Sequence, residues 1–349
     1  MLHDYIEPLR LLSLTPERLQ GAITPFNSSN SFYKKTMFEL KRYSPADAAE
    51  WNAFVAGSKN GTFLFDRSYM DYHADRFRDH SLMIYREGRL YALLPACIAA
   101  DGTLWSHGGL TYGGVILSAS ASAADTVRLF AELNDSLRSE GIRRVVYKAV
   151  PWIYHRLPAE EDLYAIFREC NARLLARDIS SAIFLDARVK WSHGRKCGVS
   201  KARNNGVTVE QSDNLAAFWT VLTGNLNARY GVNPVHTVGE MELLASRFPD
   251  RIKLYVALRD SRVVGGTLLY DFGNVVHSQY ISADDEGKRL GAIDAIYDRI
   301  LNHDFADRRC FDFGKSTVEH GHVLNESLIF QKEGFGGRGV CYDTYEWTL

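Results

Sequence analysis

Apolar positions along the chain follow two periods, one close to 3.6 residues and one of two residues. Over Ala121–Glu140 the apolar side chains recur at helical spacing, and Gly141 then predicts the end of that helix. The run Met37–Tyr43 alternates with a period of two, which predicts a strand. Runs over 81–86 and 89–96 are joined by Glu87 and Gly88, a pair typical of a tight antiparallel hairpin.

The order of predicted elements repeats once along the chain. Each half reads as a strand, two helices, a group of strands, a helix, a strand, a helix and a strand. In the second half the three strands over 251–259, 262–270 and 275–282 are separated by turns too short for crossover helices. A helix is predicted over Leu290–Phe305. This pattern predicts an α/β fold with mixed sheets of the α+β kind, not a doubly wound parallel sheet.

The repeat predicts two tandem domains, a first over 37–187 and a second over 188–349. We expect Met37 to begin the folded core and residues 1–36 to be a loosely ordered N-terminal extension, because segment 24–31 is rich in turn-forming residues.

Composition narrows the functional class. With 46 % hydrophobic and 24 % charged residues, the 349-residue chain has the composition of a globular protein and not of a disordered one. A net charge of −1 excludes a global field that would attract DNA. The five cysteines show no CxxC spacing, so neither a disulfide framework nor a metal site is predicted. No apolar run approaches the ~20 residues of a membrane span, and we expect a cytoplasmic protein.

Two stretches connect the chain to a known family. The first is the glycine-rich run Ser106–Gly114, and the second joins Phe311–Ser316 to Leu328–Gly336, where a strand ending in Asp-Phe-Gly precedes a helix ending in Lys-x-x-aromatic-Gly. Over about Met37–Leu349 the chain resembles the FemABX branch of the GNAT superfamily and its "acetyltransferase-6" relatives. The resemblance implies two tandem GNAT-like domains and transfer of an acyl or aminoacyl group to an amine. It also implies that the second domain binds the donor and carries out catalysis, and that the first binds the acceptor.

The resemblance also implies substrates. We expect an N-acyltransferase that uses acyl-CoA, such as acetyl-CoA, as a co-substrate and holds no permanently bound cofactor. The acceptor would be a small-molecule or lipid-linked glycan amine, such as an amino sugar of cell-envelope polysaccharide synthesis. One alternative is an aminoacyl-tRNA-dependent transferase of peptidoglycan bridge formation, although no long heptad helix for a coiled-coil arm is visible. A non-catalytic binding protein with the same fold is the other.

Three residues are the main candidates for catalysis, and a fourth, His277, shares the interpretations of one of them. Lys332 matches the lysine that the family uses to stabilise an oxyanion, and its alternative role is that of a helix C-terminal cation. Asp312, at a strand end, could orient the amine or accept its proton, or it could cap a loop. Tyr280 could protonate a leaving thiolate, or it could pack on a half-buried strand, and His277 has the same two interpretations.

The donor phosphates are expected at the loop before the helix over Leu290–Phe305, because a helix N-terminus attracts anions. The loop departs from the family spacing (Gln/Arg)-x-x-Gly-x-(Gly/Ala), and the alternative is a polar capping loop. Its candidate ligands are Gly287, Lys288, Arg289 and Gly291.

Substrate contacts are predicted in three further places. Lys315 and Ser316 follow the Asp-Phe-Gly strand. Segment 188–203 carries six cations and no acid, Arg195 and Lys196 among them. It could bind CoA phosphates, a nucleotide sugar, a lipid-linked pyrophosphate or tRNA, or it could be a solvated helix face. Tyr112 and His107 would line a groove formed by the glycine-rich run, whose glycines could instead mark bulges.

Overall fold

The structure, a computed structural model, describes residues 37–349. The predicted extension over residues 1–36 lies outside the described residues. Within them, no helix is both long and apolar enough to cross a membrane.

The first half of the described chain combines short helices with strands. Its helices are α1 (Ala48–Gly57), α2 (Arg67–Met70), α3 (Ala123–Ser139) and α4 (Glu161–Glu169). Its strands are β1 (Phe38–Arg42), β2 (Arg78–Asp79), β3 (Leu82–Arg86), β4 (Arg89–Leu94), β5 (Cys97–Ile98), β6 (Leu104–Trp105), β7 (Ile116–Leu117), β8 (Arg144–Lys148) and β9 (Arg173–Phe184). The predicted hairpin is confirmed as β3 and β4, and both turn residues, Glu87 and Gly88, have positive φ as a type I′ turn requires.

The second half repeats the alternation. Its helices are α5 (His193–Asn204), α6 (Leu215–Tyr230), α7 (Val238–Arg247), α8 (Asp285–Leu290), α9 (Ala292–Arg299) and α10 (Glu326–Gly334). Its strands are β10 (Thr208–Ser212), β11 (Ile252–Arg259), β12 (Arg262–Asp271), β13 (Val275–Ala283), β14 (Cys310–Lys315), β15 (Thr317–Val318), β16 (Val323–Leu324) and β17 (Arg338–Thr348).

The helix predicted over Leu290–Phe305 is wrong in its bounds. Gly291, with φ of +83°, separates α8 from α9, and a π-helical turn at Ile300–Asp304 follows α9. The break has a packing reason, since a Cβ on Gly291 would lie 2.5 Å from the carbonyl oxygen of Gly198 in α5. The chain can therefore turn against α5 only with a glycine at this position.

The strands form mixed sheets, which confirms the predicted α/β class. A four-stranded antiparallel sheet has the order β1-β3-β4-β7, and an eleven-stranded sheet has the order β10-β11-β12-β13-β14-β9-β17-β8-β6-β5-β2. The predicted meander is confirmed as β11, β12 and β13. Because β9 lies between β14 and β17, and β17 pairs with β8, the long sheet unites strands from both halves. The domain boundary at residues 187 and 188 stays a prediction.

One apolar core is shared by the two halves. Trp51, Phe65 and Tyr154 of the first half belong to the same buried cluster as Phe218 and Tyr270 of the second. This shared core holds the inner faces of the two halves against each other.

The long sheet opens at one place. β13 and β14 run parallel and pair only from Val275–Cys310 to His277–Asp312. Beyond that point β13 and β14 form no further backbone pairs. On its other side, β13 has a bulge against β12, where Gln279 is an extra residue opposite Leu268 and Leu269. The two strands therefore separate just after His277 and Asp312.

Candidate functional site

A buried carboxylate lies where β13 and β14 separate. Asp312 has no exposed surface, and hydrogen-bond donors from four directions surround it. Its carboxylate accepts hydrogen bonds from Ser180 Oγ at 2.5 Å, Tyr342 OH at 2.6 Å, Tyr154 OH at 2.7 Å and His277 Nδ1 at 2.7 Å. Burial alone would raise the pKa of Asp312, but these hydrogen bonds, the one from His277 above all, hold it well below its usual range. Asp312 therefore stays ionised, and it is too deeply buried to contact an amine itself.

His277 connects this carboxylate to the surface. Its side chain is 11 % exposed, and its Nε2 makes no hydrogen bond with any described residue. Because Asp312 accepts a hydrogen bond from Nδ1, the neutral ring carries its proton on Nδ1 and its lone pair on Nε2. The pair is thus arranged as a general base backed by a buried acid.

Lys332 is the second ionisable group of the site. The side chain, on α10, is buried, and its Nζ donates to Gly314 O at 2.7 Å, Lys315 O at 2.8 Å and Ser316 Oγ at 2.9 Å. Burial lowers the pKa of Lys332 to about 8. All three N–H groups of the ammonium are engaged, so Lys332 can act on a ligand through its charge and through the hydroxyl of Ser316.

Gly314 brings the two groups together. Its φ is +77°, and a Cβ there would lie 3.2 Å from His277 Cε1, while its carbonyl accepts the hydrogen bond from Lys332. The imidazole and the ammonium therefore flank a single residue at the end of β14. We call His277, Asp312, Gly314, Ser316 and Lys332 the reaction site.

A cavity of 290 Å³ lies on the neighbouring surface, between the N-terminal end of α9 and α10. We call it the donor cavity, because it lies where the acyl donor is predicted to bind. It brings together three of the four predicted donor ligands and one predicted substrate residue, namely Gly287, Lys288, Gly291 and Arg195. The fourth donor candidate, Arg289, is exposed and does not line this cavity. Gln331, the residue before Lys332, and Phe330, which is 74 % exposed, form the opposite wall.

The cavity is only partly available to an anion. The N-terminus of α8 is closed by its own cap, since Asp284 Oδ1 accepts the N–H of Gly287 at 2.7 Å. No side chain caps α9, whose first turn begins at Gly291. Arg195 forms an ion pair with Asp294 at 2.9 Å, and burial raises the pKa of Asp294 to about 6. A phosphate in this cavity would meet Arg195, Lys288 and the open end of α9.

The basic segment over 188–203 includes most of helix α5, and a groove of 370 Å³ runs along this segment. Trp191 and Val189 form the apolar part of this basic groove, which continues into a second cavity of 230 Å³ through Val199 and Asp298. Four exposed cations of this segment have side chains that form neither an ion pair nor a hydrogen bond with described residues, namely Lys190, Lys196, Lys201 and Arg203. The segment is therefore an unneutralised positive surface.

The remaining predicted residues lie around the reaction site. Tyr280 OH contacts His236 Nδ1 at 2.6 Å, and burial raises its pKa to about 12. Lys315 Nζ pairs with Asp178 at 2.7 Å. Tyr112 is buried and packs on Tyr154 with ring centroids 5.0 Å apart, and His107 is 3 % exposed in the glycine-rich loop.

Three members of the Asp312 network have no signature in the sequence. Ser180, Tyr154 and Tyr342 lie far from Asp312 along the chain and come from different elements. The hydroxyl groups converge only because β9 is inserted between β14 and β17.

The comparisons with known proteins agree with this architecture. Residues 196–320, which include His277, Asp312 and the α8 loop, match the family model of the acetyltransferase (GNAT) domain. Residues 196–320 are a GNAT-type acyltransferase domain. The predicted resemblance to GNAT proteins of the FemX kind and the predicted enzyme class, an acyltransferase, are confirmed. No curated protein sequence matches the chain.

Solved structures extend the likeness to the whole described chain. FemX is 12 % identical with a TM-score of 0.62, and the match covers 89 % of this chain and 97 % of FemX. L-PGS from Bacillus licheniformis is 11 % identical with a TM-score of 0.57, covering 87 % of this chain and 92 % of that protein. The C-terminal domain of a putative lysylphosphatidylglycerol synthetase from Agrobacterium fabrum is 13 % identical with a TM-score of 0.55, and the match covers 87 % of this chain and 92 % of that domain. At these identities the likeness establishes the fold: the GNAT domain is the second lobe of a FemX-like tandem arrangement.

Proposed function

We propose that the protein transfers an acyl group from acyl-CoA to an amine, with His277 as the general base. The observation that carries this proposal is the Asp312–His277 pair at the point where β13 and β14 separate. Amine acylation needs a neutral nucleophile, and a neutral imidazole with a free Nε2 can accept the proton of the amine.

The steps follow from the residues at the site. As the amine nitrogen attacks the thioester carbonyl, its proton passes to His277 Nε2, and Asp312 stabilises the imidazolium that forms. The carbonyl oxygen becomes an oxyanion next to the Ser316 hydroxyl, which Lys332 polarises. Collapse of the intermediate breaks the C–S bond, and the thiolate leaves with a proton that the imidazolium can return.

The donor cavity supports acyl-CoA as the co-substrate. Arg195 and Lys288 supply two cations near the open N-terminus of α9, and Phe330 supplies an apolar wall for the pantetheine chain. The acceptor in this proposal is a small-molecule or lipid-linked amino sugar of cell-envelope polysaccharide synthesis, which rests on the FemX-like fold.

A second candidate is transfer from aminoacyl-tRNA, and the basic groove favours it. Two unpaired cations, Lys190 and Lys196, line the groove with Trp191 and suit a nucleic acid strand, whose phosphates repeat and whose bases can stack. Thermal shift assays with acetyl-CoA and with aminoacyl-tRNA separate the two. Stabilisation by acetyl-CoA alone supports the first candidate, and stabilisation by aminoacyl-tRNA alone supports the second. If neither ligand stabilises the protein, it is a binding protein without this chemistry.

Release of CoA thiol with a panel of amines tests the reaction site. We expect His277→Gln to lower kcat by about 10²–10⁴-fold and to leave the KM for acetyl-CoA unchanged, because only the proton acceptor is lost. Lys332→Met is expected to lower kcat by about 10²–10³-fold through the loss of oxyanion stabilisation. Lys201→Gln, an exposed change on α5, is the control. Wild-type turnover by His277→Gln would exclude the proposed base.

A further inference from the structure

Lys148, the last residue of β8, carries an ammonium group with no acidic partner among the described residues. Its Nζ donates only to main-chain carbonyl oxygens, those of His107 at 3.3 Å and of Leu110. The side chain is half-buried, and burial together with the charge of Lys315 lowers its pKa to about 7. An ammonium has three donors, so one N–H of Lys148 has no partner. A cation withdrawn from water without a counter-charge is costly, which favours an anion at this place.

The imidazole of His107, next to Lys148, and the imidazole of His73, next to His107, also lack hydrogen-bond partners. His107 is 3 % exposed, its backbone has a φ of +63°, and its Nδ1 makes no hydrogen bond. His73 is 1 % exposed and has no partner at either ring nitrogen, and its ring meets that of His107 edge-on at 5.3 Å. Buried polar groups are rarely left unsatisfied, and a strained backbone at a non-glycine residue is typical of ligand sites.

Lys148, His107 and His73 form a cluster, and the charges around this cluster are not balanced within the protein. Asp79, the carboxylate that acts on His107, is paired with Arg67 at 2.8 Å. Asp178 is paired with Lys315. Lys148 is therefore left as an uncompensated positive charge next to His107.

The cluster belongs to the same surface as the reaction site. Lys148 is opposite Thr344 of β17, and Tyr342, two residues earlier, is opposite Asp178 of β9. Residues paired in this way share one face of a sheet, so Lys148 lies on the face that carries Tyr342, a partner of Asp312. The charge of Lys315, whose carbonyl oxygen accepts a hydrogen bond from Lys332, acts on Lys148.

Resting on the proposed acyl transfer, we propose that Lys148 and His107 form an anion subsite for the acceptor, so that the amine acceptor also bears a carboxylate or a phosphate. The donor cavity is lined only by residues of the second half, whereas Lys148 and the loop around His107 belong to the first half. The anion therefore belongs to the acceptor and not to acyl-CoA. An acid-bearing amine, such as a sugar phosphate or an amino acid, fits this subsite better than a neutral amino sugar.

Calorimetric binding of matched amines in phosphate-free buffer tests the subsite. Glucosamine 6-phosphate is compared with glucosamine for the phosphate, and lysine with cadaverine for the carboxylate. We expect at least one acid-bearing amine to bind about 10- to 100-fold more tightly than its neutral partner, the range of a charge-assisted hydrogen bond. Lys148→Met should abolish this preference, and Lys148→Arg should restore most of it. Arg89→Met, which removes an exposed cation, unpaired among the described residues, at the β3–β4 hairpin of the first half, should leave it unchanged.

Two outcomes overturn the subsite. One is equal binding of the acid-bearing and neutral amines in both pairs, and the other is an undiminished preference in a folded Lys148→Met protein, with folding checked by its thermal melt. Where turnover is measurable, Lys148→Met should raise the KM for the acid-bearing amine and leave kcat and the KM for acetyl-CoA within about two-fold. A failure of the acyl transfer itself is recognised separately, by thiol release that does not depend on His277.

Discussion

Asp312 illustrates how a carboxylate can serve a reaction that it never touches. Ordinary burial would favour its neutral form, but donors from Ser180, Tyr154, Tyr342 and His277 keep it charged. The charge in turn fixes the proton of His277 on Nδ1 and directs the lone pair of Nε2 outward. At the scale of single residues, the reactivity of His277 is therefore determined by groups behind it.

We predict that Asp312→Asn lowers kcat for thiol release by about 10²–10⁴-fold. The amide can donate to His277 Nδ1, which favours the tautomer with the proton on Nε2 and removes the base. Ser180→Ala is the graded control, because it removes one of several hydrogen bonds and should cost about 1 kcal/mol of stability with less than a ten-fold change in kcat. Equal activity of Asp312→Asn and Ser180→Ala would contradict the assignment of the acid.

The contact between α5 and α9 shows how one element positions another. Gly198 lets α5 approach α9 so closely that a Cβ would lie 2.2 Å from Asp294 Oδ2. Arg195 completes this contact through its ion pair with Asp294 and its stacking 5.3 Å from the ring centroid of Phe335. The packing holds Arg195 at the donor cavity, and the basic groove lies between α5 and α9, where Val199 and Asp298 line it.

Two alanine substitutions on the same helix test this contact. Gly198→Ala should destabilise the protein by about 1–3 kcal/mol, because the methyl group collides with the Asp294 carboxylate. Gly194→Ala should be neutral or stabilising by up to about 1 kcal/mol, since nothing lies within 4 Å of its Cβ position and alanine favours helix. The measurement is urea unfolding of both variants. Equal stability of the two variants would show that α5 does not depend on the Gly198 contact.

At the scale of the whole molecule, the inner faces of the two lobes bury several histidines as neutral rings. Burial lowers the pKa of His73 and of His155 to about 4 and that of His107 to about 3. An unfolded chain protonates these rings near their ordinary pKa of ~6.5. The unfolded state therefore binds more protons than the folded state between about pH 6.5 and pH 4, and stability falls as the pH falls through this range. Asp162 and Asp294, with pKa values raised to about 6, oppose this trend in part.

We predict a lower melting temperature at pH 5 than at pH 7.5, and a smaller decrease in His73→Phe. Phenylalanine keeps an aromatic ring beside Phe77 and His107 but cannot titrate, and no hydrogen bond of His73 is lost. The difference between the two decreases should correspond to about 2 kcal/mol. Parallel decreases in the two proteins would mean that His73 is protonated as easily in the folded state as in the unfolded one.

The sequence by itself determined the order of the elements. Periodicity and turn-forming residues predicted the hairpin at Glu87 and Gly88 and the three-stranded meander, because these depend on contacts between residues close in the chain. The family motifs also identified Asp312 and Lys332 as candidates. The break at Gly291 escaped prediction, since it depends on the approach of α5 from more than 90 residues away.

Only the tertiary structure decided what the candidates can do. It buried Asp312 among hydroxyl groups of β9, β17 and the segment around Tyr154, and it left His277 as the more exposed member of the pair and the proposed base. It also placed Lys148 of the first half on the same sheet face as the reaction site of the second. Burial, hydrogen-bond partners and pKa arise from neighbours in space, and the insertion of β9 between β14 and β17 determines those neighbours in a way that local sequence patterns do not encode.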